Sequence, residues 1–315
     1  MLDGISEGRG LPGKRGTDWL WIEYFKAFPA VSVHGIRKGC CPLRMIHSPG
    51  RAKAIVLVHG LSDSPLFMRA IAIYFHEILG YNVYMPLLQG HGLKDPQGMV
   101  GVAVTEWKKC VLFAVHSACL DGARVSIGGF SLGGILSLYT ACTEAAVDGN
   151  LYLFAAALGL SPGPFGTPGR LKELLLRLPF AGIFDDGRPL IGSNPYRYDR
   201  VCLQGAMELA RLIGETDAML EKIGTIRPAR RTFAAWSEYD KVICLKKMQN
   251  LKRLVGEDLY VPFVIPAKNR VGHASLVLKE PIFALDAQPG QPPLEPANPF
   301  FRQMVDAIGR FEASG

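Results

Sequence analysis

The chain predicts an α/β fold in which a mainly parallel sheet is covered by helices on both faces. Three observations predict it. The run Ala54-Ile55-Val56-Leu57-Val58 holds no polar residue, as in a strand buried on both sides. Further short apolar runs alternate with helix-compatible segments, the rhythm of consecutive strand–helix units. A chain of 315 residues is also long enough to bury one large core. In order, 65–79 has a helical pattern, 81–85 is the next strand, 106–120 a helix, and 125–129 a strand that ends at Gly129. Residues 132–142 are helix-compatible, and the apolar run 151–160 predicts another strand.

The rhythm breaks after Leu160. Pro162, Gly163, Pro164, Gly166, Pro168 and Gly169 interrupt the chain, an amphipathic helix follows at 170–178, and a second comes near 203–213. No strand pattern returns until 232–236, with another at 259–265; a proline-rich stretch, 284–299, precedes a final helix near 300–311. The expected organisation is a leader with the first strands at 1–53, a core at 54–160 and 231–315, and a cap inserted at 161–230.

Composition narrows the class. Hydrophobic residues make up 49% and charged residues 20%, which fits a compact globular protein and excludes a disordered one. The seven cysteines, an odd number with neither paired nor metal-binding spacing, predict reduced thiols and a cytoplasmic location. The net charge of +7 is uneven: residues 1–53 hold nine Lys and Arg against four Asp and Glu, a local +5. Beside that charge lies an aromatic stretch, Asp18-Trp19-Leu20-Trp21-Ile22-Glu23-Tyr24-Phe25-Lys26-Ala27-Phe28. Glu23 and Lys26 interrupt it, so it is not a secretory signal. Two roles remain open, a helix packed on the domain and a peripheral membrane contact through residues 14–30. A membrane-spanning helix needs about 20 apolar residues, and none is present. The basic residues form no nucleic-acid motif.

The chemistry centres on Gly129-Phe130-Ser131-Leu132-Gly133, a strand running into a sharp turn and then a helix. Such a turn thrusts the serine hydroxyl clear of the backbone, and glycines two residues either side let strand and helix pass closely. A second copy of the pattern, Gly159-Leu160-Ser161-Pro162-Gly163, fails on context. Pro162 has no N–H to offer a developing oxyanion, and the prolines and glycines beyond it bar a helix. Ser131 is therefore the expected nucleophile for attack on an acyl carbon.

A serine needs a base, and the base needs a carboxylate to orient it. One histidine lies beyond Ser131: His273, in a loop after the 259–265 strand. Asp240 follows the 232–236 strand and is the expected acid; Glu238 is its nearest rival, whereas Asp185, Asp186 and Asp199 fall inside the insertion. Two backbone N–H groups should form an oxyanion hole, one from Leu132 and one from Leu61 in the loop His59-Gly60-Leu61-Ser62-Asp63-Ser64-Pro65. Gly60 permits the turn there, and His59 and His91 are expected to shape the loops beside the site.

Taken together, His59-Gly60 after a buried strand, Gln89-Gly90-His91-Gly92 with Trp107 downstream, the Ser131 turn, Asp240 and His273 resemble the α/β-hydrolase superfamily. Within it they resemble the bacterial carboxylesterase and monoacylglycerol-lipase-like branch. The resemblance implies an eight-stranded, mostly parallel sheet, a helical cap after the sixth strand, and a Ser-Asp-His triad acting on short or medium acyl esters or monoacylglycerol-like lipids. It implies no metal and no organic cofactor, and it agrees with Leu61 and Leu132 as the oxyanion donors. The leucines of the insertion with Phe165 and Phe180 have two roles open, an acyl pocket and the cap's own core. Thioester, amide and carbon–carbon bond hydrolysis use the same machinery, and a ligand receptor could keep the fold without turnover.

Overall fold

The computed structural model describes residues 19–47, 53–121, 124–162, 168–178, 188–224 and 230–315. Its strands are β1 (Leu43–Met45), β2 (Ala54–Val58), β3 (Asn82–Met85), β4 (Val125–Phe130), β5 (Leu151–Phe154), β6 (Thr232–Ser237) and β7 (Tyr260–Ile265). They form one sheet in the order β1-β3-β2-β4-β5-β6-β7, with β1 antiparallel and every other pair parallel. All residues of β2 to β6 are buried, which is why β2 could be written without a polar side chain.

The helices are α1 (Ile22–Ala27), α2 (Arg69–Ile73), α3 (Val104–Leu120), α4 (Leu132–Thr143), α5 (Gly169–Leu176), α6 (Leu203–Ile223), α7 (Leu245–Asn250), α8 (Lys252–Val255) and α9 (Phe301–Ala313). Among the described residues none is long and apolar enough to cross a membrane.

Several elements differ from the sequence expectation. The sheet has seven strands among the described residues, not eight. An outer strand begins, since Leu20 bridges Leu43 and Arg44 N–H donates to Trp19 O at 2.8 Å, but α1 starts at Ile22 and carries the chain away. The insertion accordingly follows the fifth strand rather than the sixth. The apolar run 151–160 gives only the four-residue β5, because Ala155 takes a left-handed conformation (φ 41°) and turns the chain out of the sheet. The helical pattern of 65–79 divides into a 3₁₀ turn, α2 and a π turn.

The aromatic stretch of the leader points inward. Trp21 and Tyr24 are buried, Trp21 stacks on Phe113 of α3 at 5.3 Å, and the Tyr24 hydroxyl donates to Leu87 O. Residues 14–18, part of the segment considered for membrane contact, lie outside the described residues.

The insertion is tied to the sheet's helices. Helix α6 packs on α3, α4 and α5. Its buried Glu208 accepts the N–H of Val104 at 3.0 Å, placing a carboxylate at the positive end of α3. Glu173 of α5, also buried, accepts the N–H of Leu160 at 2.7 Å, and Asp217 of α6 pairs with Lys247 of α7 at 2.8 Å. Phe165, Phe180, Asp185 and Asp186 lie outside the described residues.

The last helix closes the other rim of the sheet. Phe301, Met304, Val305, Ile308 and Phe311 recur at the spacing of one helix face and are buried. From the end of α9, Glu312 accepts hydrogen bonds from the Tyr81 and Tyr152 hydroxyls, the Asn150 amide and Lys53. These donors flank the amino ends of the strands, opposite the carboxyl-end loops where sites on parallel sheets are built.

Candidate active site

Ser131 occupies the turn between β4 and α4 with φ 55° and ψ −114°, a conformation costing about 1–3 kcal/mol for a residue with a side chain. Its surroundings over-determine that strain. Ser131 N–H donates to Phe154 O at 3.0 Å, while its carbonyl accepts from Gly134 at 3.0 Å, Ile135 at 3.2 Å and Ala157 at 3.0 Å. The glycines are needed for approach rather than for φ. A Cβ on Gly129 would overlap the backbone of Gly133, and one on Gly133 would overlap the carbonyls of Val58 and His59.

His273, between β7 and a 3₁₀ turn at Ala274–Val277, points back to the end of β4. Its Nε2 lies 2.9 Å from Ser131 Oγ and its Nδ1 lies 2.5 Å from Asp240 Oδ2. Asp240 is fixed in turn, because its Oδ1 accepts the N–H groups of Val242 at 2.8 Å and Ile243 at 3.3 Å. A carboxylate can only accept, so Nδ1 is the protonated nitrogen and Nε2 presents its lone pair to the serine hydroxyl. Phe130 covers the imidazole at a ring separation of 4.7 Å, and the Asp240 side chain is almost wholly shielded from water. The arrangement can draw the proton from Ser131 and hold the resulting imidazolium.

The rivals are engaged elsewhere. Ser161 donates its hydroxyl to Lys241 O, Glu238 accepts the N–H of Ala267 at 3.2 Å, and Asp199 accepts those of Ser193 at 2.8 Å and Asn194 at 3.1 Å.

Leu132 is the first residue of α4, whose opening N–H groups have no partner within the helix and form the positive end of its dipole. Leu61 is the third residue of the loop after β2, and its side chain borders Gly205 in the first turn of α6. In that loop Ser62, not Gly60, takes the left-handed conformation (φ 67°); Gly60 is required because a Cβ there would meet the Asp63 carboxylate and the Phe130 ring.

His59 and His91 lie beneath these loops, both fully buried. His59 Nδ1 donates to Gly60 O at 2.9 Å and its Nε2 accepts the N–H of Leu88 at 3.1 Å, joining the β2 and β3 loops. His91 Nδ1 donates to Gln89 O at 3.0 Å, and Trp107 Nε1 donates to the same carbonyl at 3.0 Å. Burial holds both rings neutral: it lowers His59 well below the ordinary imidazole range and His91 to about 4. An unfolded chain binds a proton on His91 below about pH 6.5, whereas the fold resists it until about 4. Stability from this group is therefore complete above pH 6.5 and lost as the pH falls toward 4, by about 3 kcal/mol. Urea midpoints at pH 7.5 and 4.5 should differ markedly less in His91→Asn than in the natural protein; an equal loss in both would remove His91 as a cause.

Three residues near the site carry no sequence signal that would have singled them out: Asp63, Arg197 and Glu295. Arg197 Nε lies 3.4 Å from Asp63 Oδ1 and its Nη1 donates to Glu295 Oε1 at 2.6 Å.

A sequence model of the alpha/beta hydrolase family matches residues 55–297, which includes every site residue named above. The chain belongs to the alpha/beta hydrolase family. No curated protein sequence matches this hydrolase significantly. Solved structures share its fold at low identity. A structure described with the metagenome-derived lipolytic enzymes LipS and LipT is 17% identical, with a TM-score of 0.63 over 88% of this chain and 99% of its own. A soluble variant of the monoglyceride lipase of Saccharomyces cerevisiae is 12% identical, with a TM-score of 0.61 over 87% of this chain and 90% of its own. The monoacylglycerol lipase of Paleococcus ferrophilus is 16% identical, with a TM-score of 0.60 over 87% and 98%. At these identities the likeness is one of fold.

Proposed function

We propose that this alpha/beta hydrolase is a serine esterase that cleaves carboxylic esters through an acyl-enzyme on Ser131. One observation carries the reading: the continuous relay from Asp240 through His273 to Ser131 at 2.5 and 2.9 Å. His273 Nε2 takes the hydroxyl proton as Ser131 Oγ attacks the ester carbonyl, and the N–H groups of Leu61 and Leu132 hold the oxyanion. His273 then gives its proton to the departing alcohol. Water, deprotonated by the same nitrogen, attacks the acyl-enzyme and frees the acid and Ser131.

Residues 161–230 serve as the cap, a role supported by the contact of α6 with Leu61 at the loop that receives the oxyanion. Short or medium acyl esters and monoacylglycerol-like lipids are the proposed substrates.

The test is pre-steady-state hydrolysis of p-nitrophenyl esters of graded chain length, with a monoacylglycerol and an acyl thioester alongside. A burst of one p-nitrophenol per protein followed by steady turnover is expected, with a fluorophosphonate adduct on the peptide containing Ser131. Faster turnover of the thioester than of every oxygen ester would move the assignment to thioesterase. A protein that took up no fluorophosphonate and turned over no acyl donor would be a binding protein, and the proposal would fail.

A further inference from the structure

The loop that carries Leu61 is gripped by an irregular segment of the insertion, residues 193–200. Tyr198 N–H donates to Ser62 O at 2.8 Å, and the Ser62 hydroxyl donates to Arg200 O at 3.5 Å. Both contacts bear on the residue whose left-handed conformation bends the loop. A third grip is ionic. Asp63, the next residue, is buried, and its Oδ1 meets Arg197 Nε at 3.4 Å and has no hydrogen bond to any group among the described residues.

Arg197 is itself held from three sides. Its Nη1 donates to Glu295 Oε1 at 2.6 Å, its guanidinium lies over the Phe67 ring at 5.7 Å, and its carbonyl accepts from Arg37 Nη1 at 3.0 Å. The segment has its own frame, since Asn194 Oδ1 accepts the N–H groups of Tyr196 and Arg197. Tyr198 extends the grip to the second loop of the site, its hydroxyl donating to Gly90 O at 2.9 Å and accepting the N–H of Leu93 at 3.2 Å.

A buried carboxylate without a hydrogen bond on one oxygen is costly unless it is paired. Burial pushes the Asp63 carboxyl up to about 6, while the Arg197 cation and, less strongly, His273 pull it down. What the acid does is bind the loop to a cation that two other parts of the chain immobilise.

We propose that the Arg197–Asp63 ion pair clamps the loop bearing Leu61, so that Arg197, from the insertion, is a positioning residue for the oxyanion donor. The effect on turnover rests on the esterase reading above; the effect on the loop does not. An oxyanion donor acts in the transition state and not on bound substrate. Loosening it therefore lowers kcat and leaves KM nearly constant, which loss of folded protein would not do once active sites are counted.

Arg197→Met, Arg197→Lys and Asp63→Asn in the full chain test the clamp, with thermal melts showing that each variant is folded. Two quantities are read: amide hydrogen exchange in peptides covering residues 60–64, and kcat and KM for p-nitrophenyl butyrate per site titrated with a fluorophosphonate. Arg197→Met should speed exchange in 60–64 by about tenfold or more while β4 and α4 stay protected. Its kcat should fall by about 30- to 100-fold with KM within about threefold, and Arg197→Lys should recover part of the loss. If Arg197→Met does not fold, Asp63→Asn, nearly isosteric, carries the same expectation. Unchanged exchange in 60–64 overturns the clamp whatever the activity, and faster exchange with unchanged kcat overturns its role in positioning. Faster loop exchange in a protein whose natural form turns over no acyl donor keeps the clamp and rejects the esterase reading.

Discussion

Alanine at position 131 should lower kcat for p-nitrophenyl ester hydrolysis by about a millionfold with little change in KM, and alanine at 273 by a similar factor. On the proposed esterase reading Ser131 Oγ forms the acyl bond and His273 Nε2 moves its proton, and the two atoms, 2.9 Å apart, should act as one unit. The double variant should consequently be no slower than either single one, a failure of additivity that separates a relay from two independent contributions. Asp240→Asn should cost about 10⁴-fold, because an amide at 2.5 Å from Nδ1 selects the wrong imidazole tautomer. Each rate is measured per folded protein, with circular dichroism confirming the fold. Retention of more than a hundredth of the natural rate by Ser131→Ala would show that the hydroxyl is not the nucleophile.

Gly133→Ala should be the most destabilising single-methyl addition at the site, by about 4 kcal/mol or more, or should prevent folding. The new carbon would sit inside the backbone of Val58 and His59, and backbone cannot swing aside as a side chain can. Yielding would require α4 to lift off the ends of β2 and β4, which would also pull Leu132 and Ser131 out of place. Gly80→Ala is the matching control: its φ is +73° but nothing lies within 4 Å, so only the left-handed strain of about 1 kcal/mol applies. Urea unfolding of the two variants should separate them by about 3 kcal/mol. Equal effects would mean that strand and helix leave room for a Cβ at position 133.

The parts of the site that could be read from the chain are those imposed by local chemistry. Pro162 after Ser161 and a free N–H after Ser131 distinguish two otherwise equal patterns by a single covalent fact. The order Ser131, Asp240, His273 left one histidine downstream, and the structure brings these three together. The all-apolar β2 marked the sheet because burial on both faces favours apolar residues at every position.

The features that escaped depend on contacts between distant segments. Asp63, Arg197 and Glu295 come from a loop, an irregular part of the insertion and the proline-rich stretch, so no periodicity links them. The shortness of β5 turns on Ala155 at positive φ, which an apolar run does not reveal. The outer strand stopped by α1 depends on Trp21 and Tyr24 finding Phe113, again a long-range fact.

Glu312 bears on how the chain is made as well as on what it becomes. Synthesis proceeds from the N-terminus, so Lys53, Tyr81, Asn150 and Tyr152 leave the ribosome well before their common acceptor exists. Before α9 docks, the amino-end rim of the sheet lacks the one carboxylate that accepts from all four of these groups. A single carboxylate of α9 thereby fastens the helix to three separate stretches of chain at the amino end of the sheet, so that loosening any one of them is felt by the other two through a shared acceptor.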